Sequence, residues 1–503
     1  MNTAGTPANA PSAVRLNARL ARQWSRLTPE FLPFADAVSP GLPLARLLRL
    51  ALFQVSVGMA AALLVGTLNR VMILELGVPA WLVALMVALP LLAAPFRAVV
   101  GHRSDTHRSL LGWRRVPYLW MGTLLQFGGL AILPFSLILL SSHAGVADAA
   151  RWTGLVAALA AFLMVGAGMQ TTQTAGLALA TDQATPETRP RVVALMYVML
   201  LLGMVGASAV FSLVLASYTP TRLVGVVQGA ASVTLLLNLV ALWKQEPRTA
   251  QHNTDAAADA SAIATPREPF RQVWQRYAGR PHTLRFLVTL ALGTAAFSMQ
   301  DIVLEPYGGE ILHLSVSATS LLTAMMALGS VGAFVLATRW LPRGVDPHRL
   351  AALGLLIGIV AFSAVVFAAP LGSGGLFRAG NLLIGLGSGL FSVCTLVIAM
   401  GMARDDGAGL ALGAWGAVQA TAAGVAVALG GTLRDAVHLL GTAGWLGEAM
   451  SEPQVAYSVV YHTELALLFA TLVAIGPLVR REPRAVDLSS LPNQRLGLAE
   501  FPG

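Results

Sequence analysis

The chain has 503 residues, of which 56% are hydrophobic and 11% charged, where a soluble protein carries about one quarter charged residues, so a water-soluble fold is excluded. The formal net charge of +9 would speak for nucleic acid only as a concentrated patch with base-reading or stacking side chains, and topology accounts for it instead. The single cysteine, Cys394, lies in an apolar run and supplies neither a disulfide framework nor a thiolate metal site.

From the N-terminus, Met1 to Pro43 holds no apolar stretch ending in a small-residue cleavage site, so the first span must act as its own insertion signal. Within this basic tail, residues 1–46, Arg15, Arg19, Arg22 and Arg26 recur beside Leu16, Leu20, Trp24 and Leu27. That is the pattern of a basic amphipathic helix on an anionic leaflet; a disordered, positively charged tail accounts for the same residues.

About 20 apolar residues cross the hydrocarbon core. Apolar runs between breakers predict spans at Leu47–Asn69, Trp81–Val100, Tyr118–Leu140, Trp152–Ala180, Val192–Ala216 and Leu223–Trp243, which make up an N-terminal six-helix half, 47–243. A polar linker, 244–283, is too hydrophilic to pack and too charged to span. The second half, 284–479, is predicted at Leu284–Leu304, Ala318–Thr338, Arg349–Ala369, Phe377–Gly401, Leu410–Gly430 and Ala456–Val479, with a polar tail at 480–503. The expected fold is an all-α polytopic membrane protein of about twelve transmembrane helices. Of the 33 Lys and Arg, 26 fall in the tails, the linker and the loops on their side, and five (Arg70, Arg151, Arg222, Arg378 and Arg434) in the opposite loops. The positive-inside rule therefore places both termini in the cytoplasm.

The loop after the second span reads Gly101-His-Arg-Ser-Asp105-Thr-His-Arg108, then Gly112-Trp-Arg114-Arg115. A glycine for a tight turn, an acid and paired arginines resemble the loop signature of the major facilitator superfamily, where the acid and arginines lock the cytoplasmic side closed. A merely basic loop is the alternative. In the fourth span Gln170, Gln173 and Thr174, with Thr171 beside them, share one face; amides in hydrocarbon need partners, either a cavity or another helix. The seventh span ends Gln300-Asp301-Ile-Val-Leu-Glu305-Pro306-Tyr307-Gly-Gly-Glu310. This puts Asp301 and Glu305 one turn apart on one face, with the helix expected to break at Pro306 to Gly309. Carboxylates in a span are paired, protonated or functional, or else solvated at a helix terminus. Asn69, Arg70 and Glu75 make a polar cluster at the outer end of the first span, readable as an interfacial ion pair. Gly385 and Gly389 form a small-xxx-small packing pattern. Only His462 among the nine histidines falls in a span, with Glu464 on a different face. No HExxH, P-loop or GxSxG stands where chemistry could use it, so an enzyme is not expected, nor a resident metal.

Four strings, Leu68-Asn-Arg-Val-Met-Ile-Leu-Glu75-Leu-Gly-Val-Pro79, Pro95-Phe-Arg-Ala-Val-Val-Gly-His-Arg-Ser-Asp105, Gln170-Thr-Thr-Gln-Thr-Ala-Gly-Leu-Ala-Leu-Ala-Thr-Asp182 and Met299-Gln-Asp-Ile-Val-Leu-Glu-Pro-Tyr-Gly-Gly-Glu310, together resemble the PucC/LhaA family, the bacteriochlorophyll-delivery branch of the major facilitators. The Arg-rich tail followed by Phe31-Leu-Pro-Phe-Ala-Asp36 looks more like the LhaA branch, tied to the core light-harvesting antenna. The resemblance implies an assembly factor in the inner membrane of a photosynthetic bacterium. Its cargo would be bacteriochlorophyll or a precursor, with no covalent cofactor. Its partners would be light-harvesting antenna polypeptides, the lipid bilayer and pigment-biosynthesis or membrane-insertion machinery. The alternative is a proton-coupled secondary transporter of a tetrapyrrole or other amphiphile, with Asp301 and Glu305 as coupling groups; a scaffold that merely excludes lipid during ring closure is the third reading.

Overall fold

The computed structural model describes residues 44–94, 115–140, 148–185, 188–245, 279, 282–403, 408–447 and 451–479. The arginine-rich tail segment, the loop residues Gly101, Asp105, Arg108 and Arg114, and most of the linker lie outside the described residues.

Twelve helical segments follow one another, with no strand among the described residues. Helix α1 is Leu44–Ala61 and runs on through two π-helical stretches, Ala62–Leu68 and Val71–Glu75. The rest of the first half is α2 (Ala80–Leu92), α3 (Val116–Leu140), α4 (Asp148–Gln183), α5 (Arg189–Val214) and α6 (Pro220–Leu242). The second half holds α7 (Thr283–Ser298, continued by a 3-10 turn at Met299–Ile302 and by Leu304–Glu310), α8 (Val316–Trp340), α9 (Pro347–Ala368), α10 (Gly374–Ala403), α11 (Ala408–Thr442) and α12 (Pro453–Val479). Eleven of these are long and apolar enough to cross a membrane; α2 is shorter within the described residues. Local chemistry starts several of them. Thr219 Oγ1 accepts from Arg222 N ahead of Pro220, Ser315 Oγ from Ala318 N, and Asp346 Oδ1 from His348 N ahead of Pro347, each an N-cap for donors the helix itself cannot satisfy.

Two predicted ends are not ends. The first span was expected to stop at Asn69, yet helical backbone continues to Glu75, because Asn69 and Arg70 find polar partners in the other half. The eleventh was expected to stop at Gly430, yet α11 continues to Thr442. Gly431 there lies against the backbone of Ala80 in α2, and Gly430 against Met299, so these glycines admit close neighbours rather than terminate the helix.

The halves repeat one packing plan: α1 on α5 and α6 matches α7 on α11 and α12, and α3 on α4 matches α9 on α10. Between halves, α2 packs on α11 and α5 on α8. We call the end at which α1 begins proximal and the other distal. One large group of buried apolar residues spans both halves, and in the second half it reaches Ala337, Leu350 and Ile475 near the proximal ends of their helices; the remaining buried apolar residues are proximal. They divide into a group confined to the first half, around Leu47, Phe53, Leu179 and Met196, and one confined to the second, around Phe286, Ile398 and Leu478. Hydrogen bonds between the halves are distal among the described residues: Thr67 to Ser320 and Ser212 to Ser317, both at 3.0 Å, and Trp81 N to Asp435 Oδ2 at 2.8 Å. The bundle is thus closed distally and splayed proximally.

Candidate functional site

Helix α7 breaks upstream of where its sequence suggests. Its regular backbone gives way at Met299–Ile302, and Leu304–Glu310 is helical straight through Pro306 and both glycines. Pro306 is only the third residue of the new helix, where its missing N–H would have had no intrahelical acceptor. This corrects the expected geometry of the carboxylates. Asp301 lies in the 3-10 turn and Glu305 in the helix that follows it, and the two have different partners. Asp301 accepts from the side-chain amide of Gln300, while Glu305 Oε1 accepts from Thr323 of α8 at 2.6 Å.

The π-helical part of α1 is fitted to this break. Asn69, fully buried, donates through Nδ2 to the backbone oxygens of Asp301 (3.1 Å) and Ile302 (3.0 Å), carbonyls that the interrupted α7 leaves available. One turn earlier, a Cβ on Gly66 would come within 2.8 Å of Glu305 Oε1, so only glycine lets α1 lie this close. Glu305 is 4% exposed and its second oxygen has no partner. A solvated helix terminus therefore does not describe it.

A residue that sequence reasoning passed over completes the site. Glu464 of α12 is fully buried, neither of its oxygens makes a hydrogen bond, and it lies beside the Gln300 amide backbone and within electrostatic range of Asp301. The sequence signal was an acid inside an apolar span, noticed only as a neighbour of His462. His462 itself faces outward, its Nδ1 at 2.7 Å from Ser458 O. Distal to Glu464, Tyr461, Tyr307 and Tyr457 stack edge to face with ring centroids 5.3 and 5.6 Å apart about Tyr307.

At the distal end Arg70 pairs with Glu75 at 3.0 Å and reaches Leu314 O across the interface at 3.3 Å. Arg434 pairs with Glu310 at 3.0 Å and Asp435 at 2.8 Å. Arg70, Glu75, Glu310 and Arg434, together with Gly309 and His313, line an open basin of about 560 Å³. The cluster Asn69, Arg70 and Glu75 is therefore more than a surface ion pair, since two of its members tie the halves together.

The amides of α4 lie elsewhere. Gln173 Nε2 is 3.4 Å from Gln54 Oε1 of α1, and Gln170 Oε1 is buried with no partner. Thr171 and Thr174 donate to the carbonyls of Ala167 and Gln170, both at 2.8 Å. Gln54 and Gly66 are twelve residues apart on α1, about 18 Å at helical rise. The structure therefore does not bring the α4 face and the α7 carboxylates together: the former belongs to the proximal, splayed part and the latter to the depth of the bundle. Of the loop expected to act as a gate, Arg115 alone is described; its Nε contacts Asp182 at the end of α4 at 3.1 Å.

The chain is matched by the sequence model of the PUCC protein family over residues 67–483. It is 53% identical over 481 residues to an uncharacterized protein from the puhA-bchM intergenic region of Rhodobacter capsulatus, covering 96% of this chain and 99% of that protein. It is 48% identical over 466 residues to protein PucC of the same organism, covering 92% and 98%. Among solved structures, an inward-facing, unoccupied bacterial homologue of the lysosomal transporter Spinster superposes with a TM-score of 0.64 at 13% identity, covering 89% of this chain and all of that one (100%). A bacterial homologue of the iron transporter ferroportin gives 0.63 in its inward-facing state, at 15% identity over 87% of this chain and 100% of that one. The outward-facing state gives 0.51, at 16% identity over 87% and 100%. This chain belongs to the PUCC protein family and is built on the major facilitator fold.

Proposed function

We propose that the protein is an assembly factor for the core light-harvesting complex of a purple photosynthetic bacterium, and that it binds bacteriochlorophyll and delivers it to antenna polypeptides as they enter the membrane. Family membership carries the first part: the chain aligns almost end to end with PucC and with the intergenic-region protein of a purple bacterium. The core rather than the peripheral antenna is proposed as client from the Arg-rich tail followed by Phe31-Leu-Pro-Phe-Ala-Asp36. In this reading the proximal side is cytoplasmic, a placement that the distribution of basic residues supports, and the splayed halves open a cleft to the cytoplasm. Gln170 and Gln173 contribute amide oxygens, a ligand type that magnesium accepts, on an otherwise apolar surface that suits a chlorin.

The test is an absorption spectrum of the gently purified protein together with a deletion strain. Bound bacteriochlorophyll, and loss of core antenna while pigment synthesis continues, are expected. Antenna assembled at the normal rate without this protein would sink the proposal, and copurified antenna polypeptides without pigment would leave only a scaffold.

Proton-coupled secondary transport of a tetrapyrrole or other amphiphile is the second reading, favoured by the transporter fold and by carboxylates at a broken helix. The two readings differ in whether the halves must rock. Ser212 and Ser317 face each other across the distal interface at 3.0 Å, and the one native cysteine, Cys394, is buried. A Ser212→Cys/Ser317→Cys pair should therefore oxidise to a cross-link with little background. Cross-linked protein is expected to support antenna assembly if it serves as a cytoplasm-facing platform. Assembly abolished on oxidation and restored by reductant would instead show that rocking is needed.

A further inference from the structure

The proposed pigment role leaves unused the group of atoms deepest in the second half. Glu464 is fully buried, with the Gln300 backbone N–H as a nearby donor; Gln300 is 1% exposed and its Oε1 is bare. The Gln300 amide nitrogen is held by Asp301, which fixes the amide on that carboxylate and leaves its oxygen as an acceptor without a donor. Helix α12, which carries Glu464, packs on the 3-10 turn that carries Gln300 and Asp301. Two carboxylates and an amide oxygen thus converge at the α7 break with no cation among them. Neither Asp301 nor Glu464 takes part in an ion pair among the described residues, unlike Glu75 and Glu310.

Among the described residues no neighbouring helix supplies the missing charge: Arg70 of α1, next to Asn69, is paired with Glu75. From α7 the facing groups are Asp301 and the Tyr307 hydroxyl; on α12 itself they are Tyr461 and, two turns on, Tyr457. Helix α9 has its only titratable side chains, His348 and Arg349, in its first turn. Helix α11 brings Arg434, Asp435 and His438, of which Arg434 is engaged by Glu310, Asp435 and Tyr457. Two facing carboxylates in a dry interior cannot both stay charged and bare.

We infer that Asp301, Glu464 and the side-chain oxygen of Gln300 form a binding site for one exchangeable cation, a proton or Na⁺, at the break in α7. Burial holds Glu464 as the inner ligand, and Asp301, which keeps partial exposure, is the side by which the ion enters. Glu305 is outside the site because Thr323 and Gly66 draw it toward α8 and α1. The inference is independent of the pigment reading: it concerns the stability of the empty carrier, whatever the cargo.

The test is thermal melting of the full-length protein in detergent at about pH 6 and about pH 8, in NaCl and in choline chloride of equal ionic strength. Wild type is compared with Glu464→Gln, Asp301→Asn and the control Glu75→Gln. In choline the wild-type Tm is expected to fall as pH rises, because losing the bound proton leaves two carboxylates facing each other. Both site variants should flatten this dependence, since an amide carries no charge to neutralise, while Glu75→Gln should keep it. If Na⁺ raises the wild-type Tm at the higher pH and fails to do so in both variants, the site takes Na⁺; if only the pH dependence is lost in them, it takes a proton. Either result supports the site. A wild type whose Tm responds to neither cation, or whose response survives in both variants, overturns it. Should Glu464→Gln yield no folded protein, Asp301→Asn, at the more exposed position, decides the matter alone.

Discussion

Gly385→Val is expected to leave little folded protein in the membrane, while Gly225→Val is tolerated. Helices α8 and α10 approach so closely that a Cβ on Gly385 would overlap the Met326 carbonyl, and one on Gly329 the Leu382 carbonyl. One turn on, a Cβ on Gly389 would lie 2.9 Å from that of Ala333. With no hydrophobic drive between helices inside lipid, such contacts and the hydrogen bonds they permit hold the bundle together. Here the bonds are Ser330 Oγ to Gly385 O at 3.1 Å and the buried Asn381 amide to Leu322 O. Overpacking alone costs about 1–3 kcal/mol, and parting the backbones unmakes two buried hydrogen bonds at about 1 kcal/mol each. That total is a large share of a marginal stability. At Gly225 nothing lies within 4 Å of the added Cβ. Size-exclusion profiles of the two tagged variants extracted from membranes decide it. A Gly385→Val protein that elutes and melts like wild type would mean that α8 and α10 do not touch as described.

Much of this architecture was legible because hydropathy and breaker residues report directly on membrane crossing. The order of the twelve helical segments, eleven of them long and apolar enough to cross a membrane, and the small-residue contact at Gly385 follow from one-dimensional patterns whose physics is local. What stayed hidden depends on the partner across the interface. Asn69 and Arg70 look like the end of a span because polar residues in lipid are costly, and the partners that remove this cost, Asp301, Ile302 and Leu314, lie more than 230 residues away. The same holds for α7. Pro306 and two glycines are the conspicuous breakers, but where a helix yields depends on which carbonyls can be satisfied, and Asn69 satisfies those of Asp301 and Ile302. Glu464 carries no motif at all. Its meaning arises only when α12 is laid against the break.

Arg434→Met is expected to destabilise the protein by about 3 kcal/mol and to loosen the distal closure. Arg434 holds Glu310 at 3.0 Å and Asp435 at 2.8 Å, and its guanidinium lies 4.9 Å from the Tyr457 ring centroid. The Tyr457 hydroxyl donates to the same Glu310 oxygen at 2.6 Å. The side chains of Arg434 and Asp435 are each 11% exposed and that of Glu310 28%, so removing the cation strands two carboxylates with little water to take its place. The low end of the usual cost is appropriate because Glu310 borders the open basin. Lysine is a poor substitute, since one ammonium cannot reproduce a guanidinium fork shared between two acids and a ring. The effect reaches the other half through Asp435. Helix α2 starts after Pro79 with no side-chain cap of its own, and Asp435 Oδ2 accepts from Trp81 N at 2.8 Å. An Asp435 freed from Arg434 relaxes toward the basin and uncaps α2. Arg434→Met should therefore slow cross-linking of the Ser212→Cys/Ser317→Cys pair on the same face, and adding Glu310→Gln should recover stability without restoring the cross-linking rate. Unchanged cross-linking in Arg434→Met would confine Arg434 to the folding of the second half and leave distal closure to Asn69 and Arg70.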